Sequence, residues 1–446
     1  MKPRLVVVSD LHLAGHGPLS NFHSGDELAA LVESITSPGT TLAIGGDGFD
    51  LLQLPSRSEE FLDMGDVPTL LERTLEAIRE ELWGRRLFAA LRKLIETGGR
   101  LVILPGNHDP ELFHPEARRI LLRTLDVSSE TAPVELHTSE MPWQTSVGRW
   151  QVELGHGHRW DVWNDVDPAV LSRSLETGTP VPLPLGSRLV LSVLNRFKEA
   201  RDPRTGAMRF PFVDLLKPET PAVPLLLLYL DSQLALPELK KVLGLTPGLI
   251  LKQVREHLTD KRPVLGEKQS AQKLSADEEF TQYIALGFSE EDRRVPQACL
   301  RRLENWLLSP PTPEPGTLAS HRGLGRFLLR AFLRVASKDG TFFDRSKPDA
   351  HDAALIREHL APRAGPRVLI TGHTHAARHI VLEGERVYLN TGTWTDLMKL
   401  PRFDDDQAVK QFADALEAGN VPRVRRLTYA EVTPEGPTLK PAQTPE

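Results

Sequence analysis

The chain has 446 residues, of which 40% are apolar and 26% charged, and its net charge is −6. That balance belongs to a globular protein with a sizeable core, and its mild acidity offers nucleic acid or anionic membrane no bulk attraction. The lone cysteine, Cys299, excludes an internal disulfide and a thiolate cluster, so any metal must be held by His, Asp, Glu, Asn or carbonyl oxygen.

The run Leu5 to Ser9 is continuous and β-branched, which predicts a strand buried on both faces. Asp10 stops it well short of the ~7–15 apolar residues of a secretory core, so the expected location is cytoplasmic. Residues 26–35 carry helical spacing, and 40–44 predicts a second strand. Leu71, Leu75, Ile78 and Leu82 predict an amphipathic helix over 67–82, continued past Gly84 by Leu87, Leu91, Leu94 and Ile95. Gly98-Gly99 ends that helix, and strands follow at 101–104 and 150–154.

From 166 to 360 the strand texture disappears. Helical patterns occur at 186–199, 225–243, 248–258, 290–307 and 323–337, with a Pro-rich joint at 310–315. The most apolar run, Pro224 to Leu230, falls far short of the ~20 residues a membrane span needs. Strands return at 367–370, 379–382, 386–389 and 423–432, with a helix at 406–418. Residues 433–446 are polar and Pro-rich, which predicts a loose tail.

Polar groups gather where the predicted strands end. They are Ser9-Asp10-Leu11-His12, Gly45-Gly46-Asp47-Gly48-Phe49-Asp50, Pro105-Gly106-Asn107-His108-Asp109, Gly155-His156-Gly157-His158 and Thr371-Gly372-His373-Thr374-His375. In open α/β sheets the carboxyl ends of strands are where sites assemble. Asp10, His12, Asp47, Asn107, His156, His373 and His375 offer only oxygen and imidazole nitrogen, a donor set suited to Mn, Fe or Zn. They are too many for one ion that must also keep water, and suit two ions sharing a carboxylate. Residues i and i+2 on an extended segment point the same way, so Asp10 with His12, and His373 with His375, can aim at one locus.

Asp-x-His, Gly-Asp-x-x-Asp, Gly-Asn-His-Asp, Gly-His and Gly-His-x-His, in this order, resemble the calcineurin-like metallophosphoesterase superfamily. The likeness covers 1–165 and 361–432 and leaves 166–360 as a helical insertion or cap. It implies an α/β fold, a four-layer αββα sandwich with an inserted helical domain. It implies two divalent metal ions, with Mn favoured and Fe or Zn open. One ion would take Asp10, His12, Asp47 and His375, and the other Asp47, Asn107, His156 and His373, with Asp47 bridging. His108 would be the proton donor or oxyanion stabiliser, with Asp109 a candidate to orient it. The implied activity is hydrolysis of a phosphoric ester or anhydride by metal-activated hydroxide. Gly106 to Phe113 and His156 to Asp161 are more closely similar to the branch that includes the UDP-diacylglucosamine pyrophosphatases, which commonly has Asp where His158 stands.

Other readings stay open at this point. Asp50 reads equally as an orienting carboxylate or a helix cap. His158 and Asp161 read as support for a ligand or as structural, and Asn390 to Trp394, after a strand expected next to the His373 loop, as a turn with a packed Trp or as a segment that helps shape the site. Arg85, Arg86, Arg92 and Lys93, and the four-residue series Arg322, Arg326, Arg330 and Arg334, read as solvated faces, or as a grip on phosphate or on lipid head groups at a membrane periphery. The expected partner is a small phosphorylated substrate. A nuclease is the rival activity, disfavoured by the charge and by the lack of an aromatic-basic groove. A non-catalytic scaffold on the same fold is disfavoured by the full set of histidines.

Overall fold

The computed structural model describes residues 3–442 except 16, 18, 55–57, 130, 218–221, 245–247, 337–341, 363–364 and 403. Within 253–323 it describes only 254, 280, 281, 284, 300, 301 and 303–305. The expected helices over 248–258 and 290–307 lie mostly outside these residues; Cys299, the joint at 310–315 and Arg322 lie entirely outside them.

Two mixed sheets dominate an α/β architecture. The first has six strands: β1 (Arg4–Val8), β2 (Thr40–Gly45), β4 (Arg100–Leu104), β5 (Val134–Leu136), β14 (Thr428–Thr433) and β15 (Gly436–Pro441). Their order is β15-β14-β1-β2-β4-β5. β1, β2, β4 and β5 run parallel, while β14 lies antiparallel to β1 with Leu5 opposite Val432. The second sheet, in the order β10-β11-β9-β7-β6, contains β6 (Trp143–Val147), β7 (Trp150–Leu154), β9 (Arg367–Thr371), β10 (Arg378–Leu382) and β11 (Arg386–Asn390). β7, β9 and β11 are parallel there.

Alternation along each strand decides which face meets which layer. Leu5, Val7, Ala43, Val102, Leu104, Ala430 and Val432 of the first sheet share one core with Val152, Leu154, Val368, Ile370, Val387 and Leu389 of the second. The intervening residues Val6, Val8, Leu42, Ile44, Leu101 and Ile103 face the other way. They pack on the helices Gly25–Ile35, Val67–Glu80, Leu82–Glu96 and Ala117–Thr124. On the far side of the second sheet, Leu369, Ile380 and Tyr388 meet Leu355 and Leu360, at the helix Ala350–His359.

A separate apolar cluster joins the helices of the middle segment to the C-terminal helix Asp406–Glu417. It includes Phe197, Phe210, the leucines of Val223–Leu230, Leu328, Phe332, Val409 and Phe412. The leucine-rich run of the sequence is therefore helix core. No helix among the described residues is long and apolar enough to cross a membrane.

Several boundaries differ from the sequence reading. Glu81 takes an extended conformation (ψ 145°) and divides the expected 67–82 helix from its continuation. Asp231 likewise separates Val223–Leu230 from Ser232–Leu243, and its carboxylate caps the second helix by accepting the N–H groups of Gln233 and Leu234. The helix expected over 186–199 spans 185–199 and carries a π turn at Val190–Leu194.

The expectation of a loose tail over 433–446 is corrected for residues 433–442; 443–446 lie outside the described residues. Residues 436–441 form β15, the edge strand of the first sheet, paired from Gly436 opposite Thr433 to Pro441 opposite Thr428. The pair Pro434-Glu435 makes a tight hairpin loop, and the prolines that made the segment look irregular sit on an edge strand, where a missing N–H is tolerated. Of the basic groups, Arg86 pairs with Glu33 at 2.8 Å and Arg330 with Asp406, as expected for solvated faces.

Candidate metal centre

Five loops leave the carboxyl ends of β1, β2, β4, β7 and β9, and all seven candidate ligands lie on them. The loops extend the strand ladders past their ends: Asp10 N–H donates to Gly46 O (3.1 Å), His12 N–H to Asp47 O (3.0 Å) and Gly372 N–H to His156 O (3.0 Å). Asp10, His12, Asp47, Asn107, His156, His373 and His375 are all buried, at no more than 4% exposure.

The backbone there is strained. Asp10, His12, Asp47, His373 and His375 have positive φ, between 48° and 68°. Such a conformation costs a non-glycine residue about 1–3 kcal/mol and persists only where the surroundings enforce it. Glycine is required beside them: a Cβ on Gly106 would collide with the Asp47 carboxylate, and one on Gly372 with that of Asp10.

Two groups of donor atoms converge. One atom each from Asp10, His12 and His375 lie within 4.8 Å of one another, as do atoms from Asp10, Asp47 and His156. Nε2 of His12 and Nε2 of His375 are 3.2 Å apart, and Asp10 Oδ1 lies 3.4 Å from the latter. His156 Nδ1 faces Gly45 O at 3.0 Å, which makes Nδ1 the protonated nitrogen. In the neutral ring Nε2 is then a lone pair, and it lies 3.1 Å from Asp47 Oδ2. Two acceptors face each other at that distance only with a cation between them. In the metal-free protein the cation is a proton: burial opposes it, but the carboxylates of Asp47 and Asp10 push the His156 pKa up to about 9.

Asn107 makes the same point with a neutral group. It is fully buried, and among the described residues neither its amide oxygen nor its amide nitrogen has a hydrogen-bond partner. Buried amides are almost always paired. A carbonyl oxygen left over on the loop that follows β4 suits a hard or borderline cation.

Asp50 has both of the roles left open by the sequence. It caps the short turn Leu51–Gln53 by accepting the Leu52 N–H at 3.1 Å. Its oxygens also lie 3.3 Å from His12 Nδ1 and 3.1 Å from His108 Nδ1. Burial works against its charge, but His108 and His12 outweigh burial and hold its pKa far below the usual carboxylate range. Asp109 sits differently. Its oxygens accept the N–H groups of Phe49 (3.0 Å) and Gly106 (2.6 Å), which ties the β2 and β4 loops together. Burial and the nearby Asp47 carboxylate push its pKa up to about 7. The position beside His108 therefore belongs to Asp50, three residues after Asp47 in the Gly-Asp-x-x-Asp motif.

His373 belongs to neither convergent group. Its backbone N–H is shared between the two Asp10 oxygens (3.0 and 3.1 Å), while ring Nε2 turns to Asp161 Oδ2 at 3.0 Å. Burial, with the charges of Lys217 and His156, holds its pKa well below the usual imidazole range. His158 stands beside His156 with ring centroids 5.3 Å apart, and burial and His156 push its pKa down to about 3.

The segment 390–394 supports the site directly. Asn390 Nδ2 donates to Gly372 O (2.8 Å), and Thr393 Oγ1 and Trp394 N–H both donate to Asp10 O (3.0 and 3.1 Å). From the helical segment, Ser187 Oγ reaches Asn107 O (3.5 Å), Asn195 Nδ2 reaches Leu52 O (3.1 Å) and Lys198 Nζ reaches Leu19 O (2.6 Å). The sequence left a site-shaping role open for 390–394, from its place just after a strand, and offered no signal for Ser187, Asn195 or Lys198. A further acidic group, Asp349, His351 and Asp352, is used structurally: Asp352 accepts from Arg378 Nε (2.9 Å) and Tyr388 Oη (2.7 Å).

No family model matches the chain, and no curated protein matches it.

Proposed function

We propose that this chain is a metal-dependent hydrolase of phosphoric esters or anhydrides, of the calcineurin-like metallophosphoesterase type, acting through two divalent ions. The observation that carries this reading is the pair of buried donor groups that share Asp10, with His156 Nε2 facing the Asp47 carboxylate at 3.1 Å. The layer order supports it too: helices, sheet, sheet, helix is the order of an αββα sandwich. So does the ordered series of five motifs, each at a strand end.

In this reading Asp10, His12, Asp47 and His375 hold one ion, and Asp47, Asn107, His156 and His373 the other. Manganese is the favoured metal, with iron or zinc as alternatives. Bound ions of this kind neutralise the charge of a phosphate ester and acidify water. The protein's own groups do the rest. Asn107 donates without adding negative charge, so the site remains attractive to an anion. His108, held by the Asp50 carboxylate, donates a proton to the departing oxygen. Asp50 keeps its own charge while it does so, because His108 and His12 both favour the ionised form. Ser187, Asn195 and Lys198 tie the 185–199 segment to loops after β4, β2 and β1, which supports reading that segment as part of a cover over the centre.

The test is a panel of phosphomonoesters, cyclic and linear diesters, nucleotide sugars and nucleic acids, each with Mn, Zn, Fe and Mg supplied separately. Hydrolysis of one class with one metal, abolished by chelation, is the expected result. No metal uptake and no hydrolysis of any member under all four metals would refute the reading.

A further inference from the structure

We infer that Asp161 is a positioning residue: it fixes His373 as the Nε2–H tautomer and so leaves Nδ1 as the ring atom that His373 offers to a cation. This rests on the metal reading above, and it concerns a residue outside all five motifs.

The argument is one of donors and acceptors. A carboxylate only accepts. Asp161 Oδ1 accepts the Trp163 N–H at 2.9 Å, and Oδ2 accepts Asn164 Nδ2 at 2.8 Å. His373 Nε2 lies 3.0 Å from the same Oδ2, so the proton at that contact must come from the ring. The opposite tautomer would set lone pair against carboxylate at Nε2. It would also bury an N–H at Nδ1, which has no hydrogen-bond partner. Both faults disappear when Nδ1 carries the lone pair.

His373 can hardly escape this by rotating. Its side chain is 1% exposed, its φ is 68°, and its N–H is held by Asp10. Asp161 is fixed as well. It follows the short turn His158–Trp160, which begins at Gly157 with φ 110°, and the Gly157 carbonyl is contacted by His351 Nε2 at 3.0 Å. His156 is held in the reverse sense, with Nδ1 on Gly45 O and Nε2 left over. The two imidazoles expected on one ion therefore present opposite nitrogens. A carboxylate behind a metal-binding imidazole orients the ring and raises its basicity.

The test uses the full chain, stripped with EDTA and titrated with Mn2+ by calorimetry, with bound metal counted after desalting. The unmodified chain binds two ions. Asp161→Ala weakens one of the two by about 10–100-fold and leaves the other unchanged. In the metal-free chain labelled with 15N-histidine, long-range 1H–15N spectra show His373, assigned by its loss in His373→Gln, as the Nε2–H tautomer. In Asp161→Ala that signature gives way to a mixture. Two normal Mn2+ affinities in Asp161→Ala, or an Nδ1–H ring in the unmodified chain, overturn this inference alone. No Mn2+ binding by the unmodified chain overturns the metal reading, and this one with it. If circular dichroism shows that Asp161→Ala does not fold, the tautomer of the unmodified chain decides.

Discussion

Asp50 Oδ1 lies 3.1 Å from Nδ1 of His108, and both side chains are almost completely excluded from solvent. A buried carboxylate in that place fixes the orientation of the ring. Asp50→Asn is expected to lower kcat about 10–100-fold while the Mn2+ content stays at the level of the unmodified chain. Steady-state rates on a chromogenic phosphodiester, beside metal analysis of the same sample, check this. Loss of metal together with activity would show that Asp50 acts through His12 instead.

His108 itself is expected to matter more. His108→Asn removes the proton donor but none of the expected ligands, so bound metal should persist while turnover falls about 10²–10⁴-fold. The same paired assay decides it, and unchanged turnover would refute the donor role.

Asn107 gives a prediction in which stability and metal binding move oppositely. A buried amide without partners costs about 1–3 kcal/mol. Asn107→Leu replaces it with an apolar group of similar volume, and the EDTA-treated variant is expected to melt no lower than the unmodified chain. It should bind one Mn2+ ion fewer. A large drop in the melting temperature in EDTA would mean that the Asn107 amide is satisfied in solution.

Gly106 is expected to tolerate nothing larger than hydrogen. Gly106→Ala pushes a methyl group into the Asp47 carboxylate. Since Asp47 is the expected bridge, both Mn2+ affinities should weaken by at least about tenfold. Calorimetric titration measures this directly, and two intact affinities would remove Asp47 from the bridging position.

The metal-free chain should respond to alkali through His156. Its folded pKa, about 9, exceeds the ordinary value of 6.5, so folding takes up a proton. That contribution is complete below about pH 6.5 and is lost as the pH rises through 9. His158, His373 and His375 are shifted downward, so their dependence falls below pH 6.5, while Asp109, raised to about 7, adds to the fall only at the lower edge of this window. The urea midpoint in EDTA should therefore fall between pH 7 and pH 9. With saturating Mn2+ a bound His156 has no proton to lose, and the fall attributable to it should vanish.

Much of the centre was legible because each motif followed an apolar run, and a buried parallel strand ends at a site. β1, β4 and β9 could be read from unbroken Val, Leu and Ile, β2 from Leu42-Ala43-Ile44, and β7 from Trp150, Val152 and Leu154 alternating with Gln151 and Glu153. β15 could not: Gly436-Pro437 and Pro441 signal a turn to any local rule, and only the open edge of β14 makes them a strand. For Asp50 and Asp161 the sequence left a supporting role open without fixing it. Sequence spacing shows that a carboxylate is near a histidine, but which ring nitrogen it meets depends on how two loops from distant segments pack. Helix breaks at Glu81 and Asp231 escaped notice because apolar periodicity continues across both.

The place of β1 has a bearing on synthesis. Arg4–Val8 leaves the ribosome long before β14, one of its two neighbours. Until residue 428 and those after it emerge, the nascent protein carries a bare, strongly apolar edge beside an incomplete ligand cage. Holding that edge apart from other polypeptides is work for a chaperone, and truncation before β14 should yield aggregate instead of a smaller soluble fragment.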